Sequence, residues 1–333
     1  MINSGTATPR LDLLGPILNE TFDFDAYVAH QFFAPLVVEK RIGAIPSFLF
    51  TNDQILNVQH NPKTSFARIV SSLGEKTYAC QEDGVEEALS KEDFDTMGEA
   101  RAEALVMGRL VHALLRARDF TLATTVFSAA GESTFTGQVT TAAAAWDNAS
   151  GDPYANVADA IEGIVRRTGA MPTDLTIGFG AYVKLIKNAK IQSAYRGIIG
   201  YTNGDAGTSL MIPAQTLASI FGLKRVNIAK GVYNTAKEGQ TASRSYLIPS
   251  NYATVHVGAT NPSDVSECCA GRMFVYDKAA MMNELCTGTA DAVRAFYAEQ
   301  YSEPGTDSRI LRARDYVDMR FTTPEALQLI KSI

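Results

Sequence analysis

The stretch "WDNASGDPYANVADAIEGIVRRTGAMPTDLTIGFGAYVKLIKNAKI", residues 146–191, decides the fold. Pro153 stands at a favourable first helical position, with Asp152 before it as the cap. Val157, Ile161, Ile164 and Val165 recur at helical spacing, and Gly169 with Pro172 ends the run. Leu175–Phe179 reads as a short strand, and Ala181–Asn188 restarts a helix through Tyr182, Leu185 and Ile186. Helix, strand, helix is the start of a compact α/β unit.

The same stretch also has the look of a catalytic loop. It gathers the single tryptophan, Trp146, with Asp147, Ser150 and Asp152. No general base and no metal-ligand spacing joins them, and Asp152 is already used as a cap. Trp146 is then a packing anchor. Gly178 and Gly180 lie between strand and helix, as in a dinucleotide-binding turn. The position of the third glycine holds Val183, and no acid ends a second strand about 20 residues on. The bland reading is a tight turn; a nucleotide-binding α/β enzyme is the lesser alternative.

Working toward the C-terminus, a Gly-rich loop at 200–209 precedes a short helix near 213–221. Strands are expected at Arg225–Ala229, Tyr246–Ile248, Thr254–Val257 and Met273–Tyr276. Residues 308–323 alternate: Leu311, Ala313, Val317, Met319 and Phe321 on one face, Arg312, Arg314, Asp318 and Arg320 mostly on the other. That is a long half-buried strand.

Working toward the N-terminus, 127–153 is small and polar, an irregular connection or short hairpin. Before it, Met97, Ala100, Ala104, Met107, Val111 and Leu114 form one helical stripe, with Arg101, Arg109, Arg116 and Arg118 on other faces. A helix over 95–124 would run roughly 45 Å, a spine across the subunit. Strand character at Thr77–Cys80 and Val85–Leu89 follows a polar excursion over 51–75. Residues 26–50 are β-rich, and Pro35 and Pro46 confine them to edge strands. Residues 1–26 read as an arm that orders only against something else.

Composition narrows the classes. The chain has 333 residues, 20% charged, with a net charge of −6. No Lys/Arg-rich run supports tight nucleic-acid binding, which needs clustered basic contacts. No apolar run reaches membrane-spanning length, and no signal peptide is read. Cys80, Cys268, Cys269 and Cys286 show no CxxC spacing and read as free thiols. No phosphate loop or GxSxG elbow occurs. His30, His60, His112 and His256 are scattered and read as structural. No catalytic residue, cofactor or metal site is assigned.

The ordered series of pieces resembles the major capsid protein of tailed bacteriophages, whose fold is shared with herpesvirus capsids and encapsulin shells. Three stretches carry the likeness: "AYVAHQFFAPLVVEKRIGAIPSF" (26–48), "TSFARIV" (64–70) with "EKTYACQEDGVEEALSKEDFD" (75–95), and 146–191. The first looks like a short helix running into a β-branched step, the second like the returning arm of an extended loop, the third like a Trp-containing strand leading into the axial domain. The likeness runs, with gaps, from about residue 24 to 330.

The resemblance implies an α+β fold: N-terminal arm (1–26), peripheral domain with spine helix (27–50 and 90–150), extended β-hairpin loop (51–89), α/β axial domain (151–290) and a peripheral closing strand (291–333). It implies a structural protein, not an enzyme, that self-assembles as pentamers and hexamers into an icosahedral virion shell around double-stranded DNA, in the host cytoplasm. An encapsulin-like compartment shell is the alternative. No built-in assembly domain precedes residue 26, so a separate scaffolding protein is implied, with a portal and a decoration protein as further partners and no membrane. Packaged DNA would be touched without sequence preference. Assembly-interface pairs are expected among Arg68, Arg312 and Arg320 on one side and Glu82, Glu86 and Glu87 on the other.

Overall fold

The computed structural model describes residues 8–9, 26–47, 74–199, 211–237, 239–261, 264–265, 267–276, 296–303 and 308–333. Its strands begin with β1 (Thr8–Pro9), β2 (Ala34–Val38), β3 (Ile42–Ser47), β4 (Gly74–Ala79) and β5 (Gln81–Ser90). β6 (Val139–Thr141), β7 (Asp174–Gly178), β8 (Arg225–Ala229), β9 (Val232–Asn234) and β10 (Arg244–Tyr246) follow. β11 (Tyr252–His256), β12 (Gly271–Tyr276), β13 (Tyr297–Glu303), β14 (Ser308–Phe321) and β15 (Leu327–Lys331) complete the set. The helices are α1 (Ala29–Phe32), α2 (Lys91–Met97), α3 (Glu99–Thr125), α4 (Ala129–Thr134), α5 (Pro153–Thr168), α6 (Phe179–Lys187), α7 (Ala189–Ile199) and α8 (Ala214–Phe221).

The peripheral sheet runs β1-β13-β14-β12-β2, and β5 also pairs with β14. β14 is its axis. Residues 308–314 bond to β13 while 308–317 bond to β5, and 317–321 continue onto β12. The two prolines behave as expected, because β2 is an edge strand and β3 belongs to a two-stranded hairpin with β4. Leu311 and Ala313 turn inward against Ala102, Val106, Met107, Leu110, Leu114 and Leu115 of α3. Each such burial contributes roughly 1.5–3 kcal/mol for a large aliphatic side chain.

The spine differs from the expected continuous helix. Gly98 breaks it with φ +81°, and α3 then runs 27 residues, about 40 Å at ~1.5 Å per residue. A Cβ on Gly98 would meet nothing within 4 Å, so the backbone conformation, not space, calls for glycine. Met107, Val111 and Leu114 are buried as read, but Ala100 is exposed. Arg118, read as lying off the apolar stripe, is buried.

The axial sheet runs β6-β15-β11-β7-β8. It is built as the opening stretch foretold. Asp152 Oδ1 accepts from Ala155 N at 3.2 Å, Pro153 opens α5, and Gly169 closes it at φ +69°. β8 occupies the expected Arg225–Ala229, whereas the strand expected at Tyr246–Ile248 ends at Tyr246. Residues 127–153 contain the short helix α4 and β6, which pairs in parallel with β15. Trp146 sits in a turn rather than a strand. Sheet membership crosses the expected domain limits: β6 and β15 complete the axial sheet, and β12 lies in the peripheral one.

One large core joins the two halves. It includes Phe32 of α1 and Phe33 just after it, Leu122 and Val126 from the end of the spine, and Leu175, Ile177 and Val255 from the axial sheet. Trp146 is fully buried in it. Its indole Nε1 donates to Asn156 Oδ1 at 3.1 Å, and Asn188 Nδ2 donates to its carbonyl at 2.8 Å. The anchor reading of Trp146 thus gains named partners.

Candidate assembly surfaces

β5 and β14 set up the charged face of the peripheral sheet. Period-two alternation sends Arg309, Leu311, Ala313 and Asp315 toward α3 and leaves Arg312 and Arg314 on the opposite face. Arg312 lies across from Glu86 in register, and its Nε and Nη2 donate to Glu86 Oε2 at 3.0 and 2.8 Å. That bond holds the Glu86 carboxyl below its ordinary range. Arg314 reaches diagonally to Glu82 Oε1 at 2.7 Å and also pairs with Glu299. Tyr301 adds its hydroxyl to Glu86 and its ring beneath Arg312. The result is a ladder of alternating charges across three strands.

The helix-facing side carries its own pairs. Arg309 donates to Glu103 at 2.6 Å and also pairs with Glu99. Arg118 Nε donates to Asp315 Oδ2 at 3.0 Å, and its guanidinium lies 4.8 Å from the Phe296 ring. Removing either partner of such a buried pair strands a charge, a loss of roughly 3–5 kcal/mol.

The root of the extended hairpin is a separate small core. Tyr78 of β4 stacks on Phe274 at 4.5 Å with an interplanar angle of 8°. Ile45, Cys80 and Tyr316 pack around them. Arg41 Nε donates to the Cys80 carbonyl at 2.9 Å and ties the root to the main sheet. Gly43 is required here, since a Cβ would lie 2.5 Å from the Tyr78 hydroxyl. Outside this root, Ile42 and Val37 stay exposed.

Each expected interface residue except Arg68 has a definite place. Arg312 and Glu86 meet within one chain; Glu82 meets Arg314; Glu87 pairs with Arg109 at 2.8 Å; Arg320 pairs with Asp318 at 2.9 Å. Arg68 lies outside the described residues, as does the tip of the loop. Sequence reading missed Arg314 as the hub, although its position one period from Arg312 was the signal. It also missed Asp315, because an acid on a strand's inner face pairs only with a residue nearly 200 positions away.

The enzyme-like features resolve otherwise. A Cβ on Gly178 would lie 2.6 Å from the Ile248 carbonyl oxygen, and one on Gly180 2.7 Å from Ser250 Cβ. The glycines admit a neighbouring backbone, not a pyrophosphate. Burial pushes the Cys80 and Cys268 thiols up to about 11, away from the thiolate needed for nucleophilic work. Cys80, Cys268 and Cys269 are free, and Cys286 lies outside the described residues. Among the described residues no group of three His, Cys, Asp or Glu could hold a metal ion. No described helix is long and apolar enough to cross a membrane.

Hairpin root, spine, axial sheet and closing strand together make up the tailed-phage major capsid fold. Solved structures similar to the chain carry that assignment. A phage-related protein from Bordetella bronchiseptica aligns with a TM-score of 0.68 at 15% identity, over 98% of this chain and 97% of its own. The asymmetric unit of the bacteriophage PhiM1 mature capsid aligns at 0.51 and 15% identity, over 91% and 86%. A virus-like particle from Pyrococcus furiosus aligns at 0.53 and 10% identity, over 96% and 97%. No family model matches the chain, and no curated protein matches it.

Proposed function

We propose that the chain is a major capsid protein that self-assembles, as pentamers and hexamers, into the icosahedral head shell enclosing the double-stranded DNA of a tailed phage. The observation that carries this reading is the likeness over 91% of the chain to a mature phage capsid subunit. The physical design agrees with it. A two-stranded hairpin is marginal in water and gains stability by lying on another surface, and β3–β4 presents exposed Ile42 for such a contact. Arg68 of the loop, Glu87 and Arg320 belong to the subunit interface, and so does the charged ladder of Glu82, Glu86, Arg312 and Arg314. Its side chains are already ordered by their pairs within the chain, which lowers the entropy lost on docking. Closed rings need heterologous contacts, so hairpin and ladder meet different patches on successive neighbours. A separate scaffolding protein, a portal and a decoration protein act as partners, in the host cytoplasm. The net charge of −6 suits a container wall that DNA slides along.

Negative-stain microscopy and sedimentation of the protein, alone and co-expressed with its scaffold, test the proposal. Closed shells are expected. A monodisperse small species under both conditions overturns it. A second reading, a cellular compartment shell, is favoured by the likeness to the Pyrococcus furiosus virus-like particle. The contents of purified particles decide between them: nuclease-protected DNA supports the head shell, a protein cargo the compartment.

A further inference from the structure

α1 has four residues, too few to persist on its own. Its capping position is Val28, whose side chain accepts no hydrogen bond. The orphan donors go elsewhere: Ala29 N donates to Asp119 Oδ1 at 2.8 Å, and Val28 N to Asp119 Oδ1 and Oδ2 at 3.1 and 3.3 Å. The cap therefore sits on the spine helix, 90 residues away. An axial loop closes on the same point. Lys230 N donates to the Ala26 carbonyl at 3.1 Å, and a Cβ on Gly231 would lie 3.6 Å from Asp119 Oδ2.

α1 delivers two rings into the joint between the halves. Phe33 packs edge-on to Phe321 at 5.2 Å. The Phe32 ring lies 4.2 Å from the His256 ring of β11. The surface there is not made for permanent dryness. His256 is fully buried, and its ring nitrogens approach only the Thr254 backbone, short of full hydrogen-bond geometry, among the described residues. Thr254 Oγ1, two residues along the same face of β11, is also buried and unpartnered. Unmet buried polar groups each cost roughly 1–3 kcal/mol and call for an explanation. Wetting that surface in a second state supplies one.

We propose that residues 26–33 form a latch that lifts off the axial sheet as a unit, swinging about β2, which stays paired to β12. Closing gains the Asp119 cap and the Phe32 packing. Opening exposes the His256 ring to water and leaves the rest of the shared core in place. The latch belongs to the single subunit and stands independently of the shell reading.

Native-state hydrogen exchange of the full chain, with Asp119→Asn and His256→Leu variants, tests it. In the parent, amides of 28–33 exchange at least ten-fold faster than those of β7 and β11. Asp119→Asn speeds the 28–33 set at least a further ten-fold and leaves β7 and β11 unchanged. His256→Leu, which removes the unmet ring nitrogens, slows the 28–33 set. Equal rates for both sets in the parent, or equal acceleration of both in Asp119→Asn, overturn the latch. Should Asp119→Asn not fold, the parent comparison and His256→Leu decide, and an unchanged 28–33 rate in His256→Leu overturns it as well.

Discussion

Burial moves Asp119, which caps α1, and His256, which lies against Phe32, in opposite directions. Burial pushes the Asp119 carboxyl up to about 7, against the pull of the Ala29 and Val28 amides and the Arg118 charge. Tyr27, hydrogen-bonded to His112 beside Arg116, is the other titratable neighbourhood on that side. Burial pushes His256 down to about 4, with Asp174 opposing and Arg225 reinforcing the shift. The raised acid stabilises the fold at low pH, and that contribution is lost as pH rises toward 7. The depressed base stabilises it above about 6.5, and that contribution is lost as pH falls toward 4. The two slopes oppose between about pH 4 and 6.5. Urea melts of Asp119→Asn, where only the His256 slope remains, should therefore show stability falling by up to about 3 kcal/mol as pH drops from about 6.5 to about 4, while the parent stays flatter; ~1.4 kcal/mol per pH unit sets the scale. A parent and variant with parallel pH curves would contradict the opposed pair. None of this was legible beforehand. Charged residues on a helix read as solvated by default, and a capping partner 90 residues away leaves no local signature.

Helices and strands with local punctuation were legible; those that depend on distant partners were not. α5 announced itself through Asp152, Pro153 and Gly169, and β14 through strict alternation. Gly98 was passed over because a lone glycine inside an apolar stripe is ordinarily tolerated. β6 and β15 were missed as axial strands because pairing between 139–141 and 329–331 has no sequence period. The hairpin gives a sharper expectation. Gly43→Ala places a methyl group against Tyr78 and should unstack it from Phe274, lowering subunit stability by about 1–3 kcal/mol in chemical denaturation. Deletion of 54–74 should leave that root, and hence a soluble subunit, intact while closed shells fail to form by microscopy. Heat-resistant shells from the deletion would remove the loop from its proposed role.

For the whole molecule, charge reversal in the ladder tests its proposed place in the subunit interface apart from its part in folding. Reversing one charge, Arg312→Glu, sets like charges opposite each other across β14 and β5 and should lower subunit stability by about 1 kcal/mol. Adding Glu86→Arg restores the pair with its direction inverted. Subunit melting should recover in the double variant, while light scattering shows shell formation still impaired, because a neighbour now meets the wrong sign at each position. Full recovery of both would place the ladder away from the interface.

The placement of β14 and β15 also sets an order of events during synthesis. β14 holds the peripheral sheet along both edges, and β15 sits between β6 and β11 in the axial sheet. Both lie within residues 308–331. Neither sheet can close until the ribosome has added these residues, so the nascent chain carries unpaired strand edges until then. Chains cut short before residue 308 lack the strand that joins β5, β12 and β13 and the one that joins β6 and β11, and should be recovered as protease-sensitive material rather than as folded subunits.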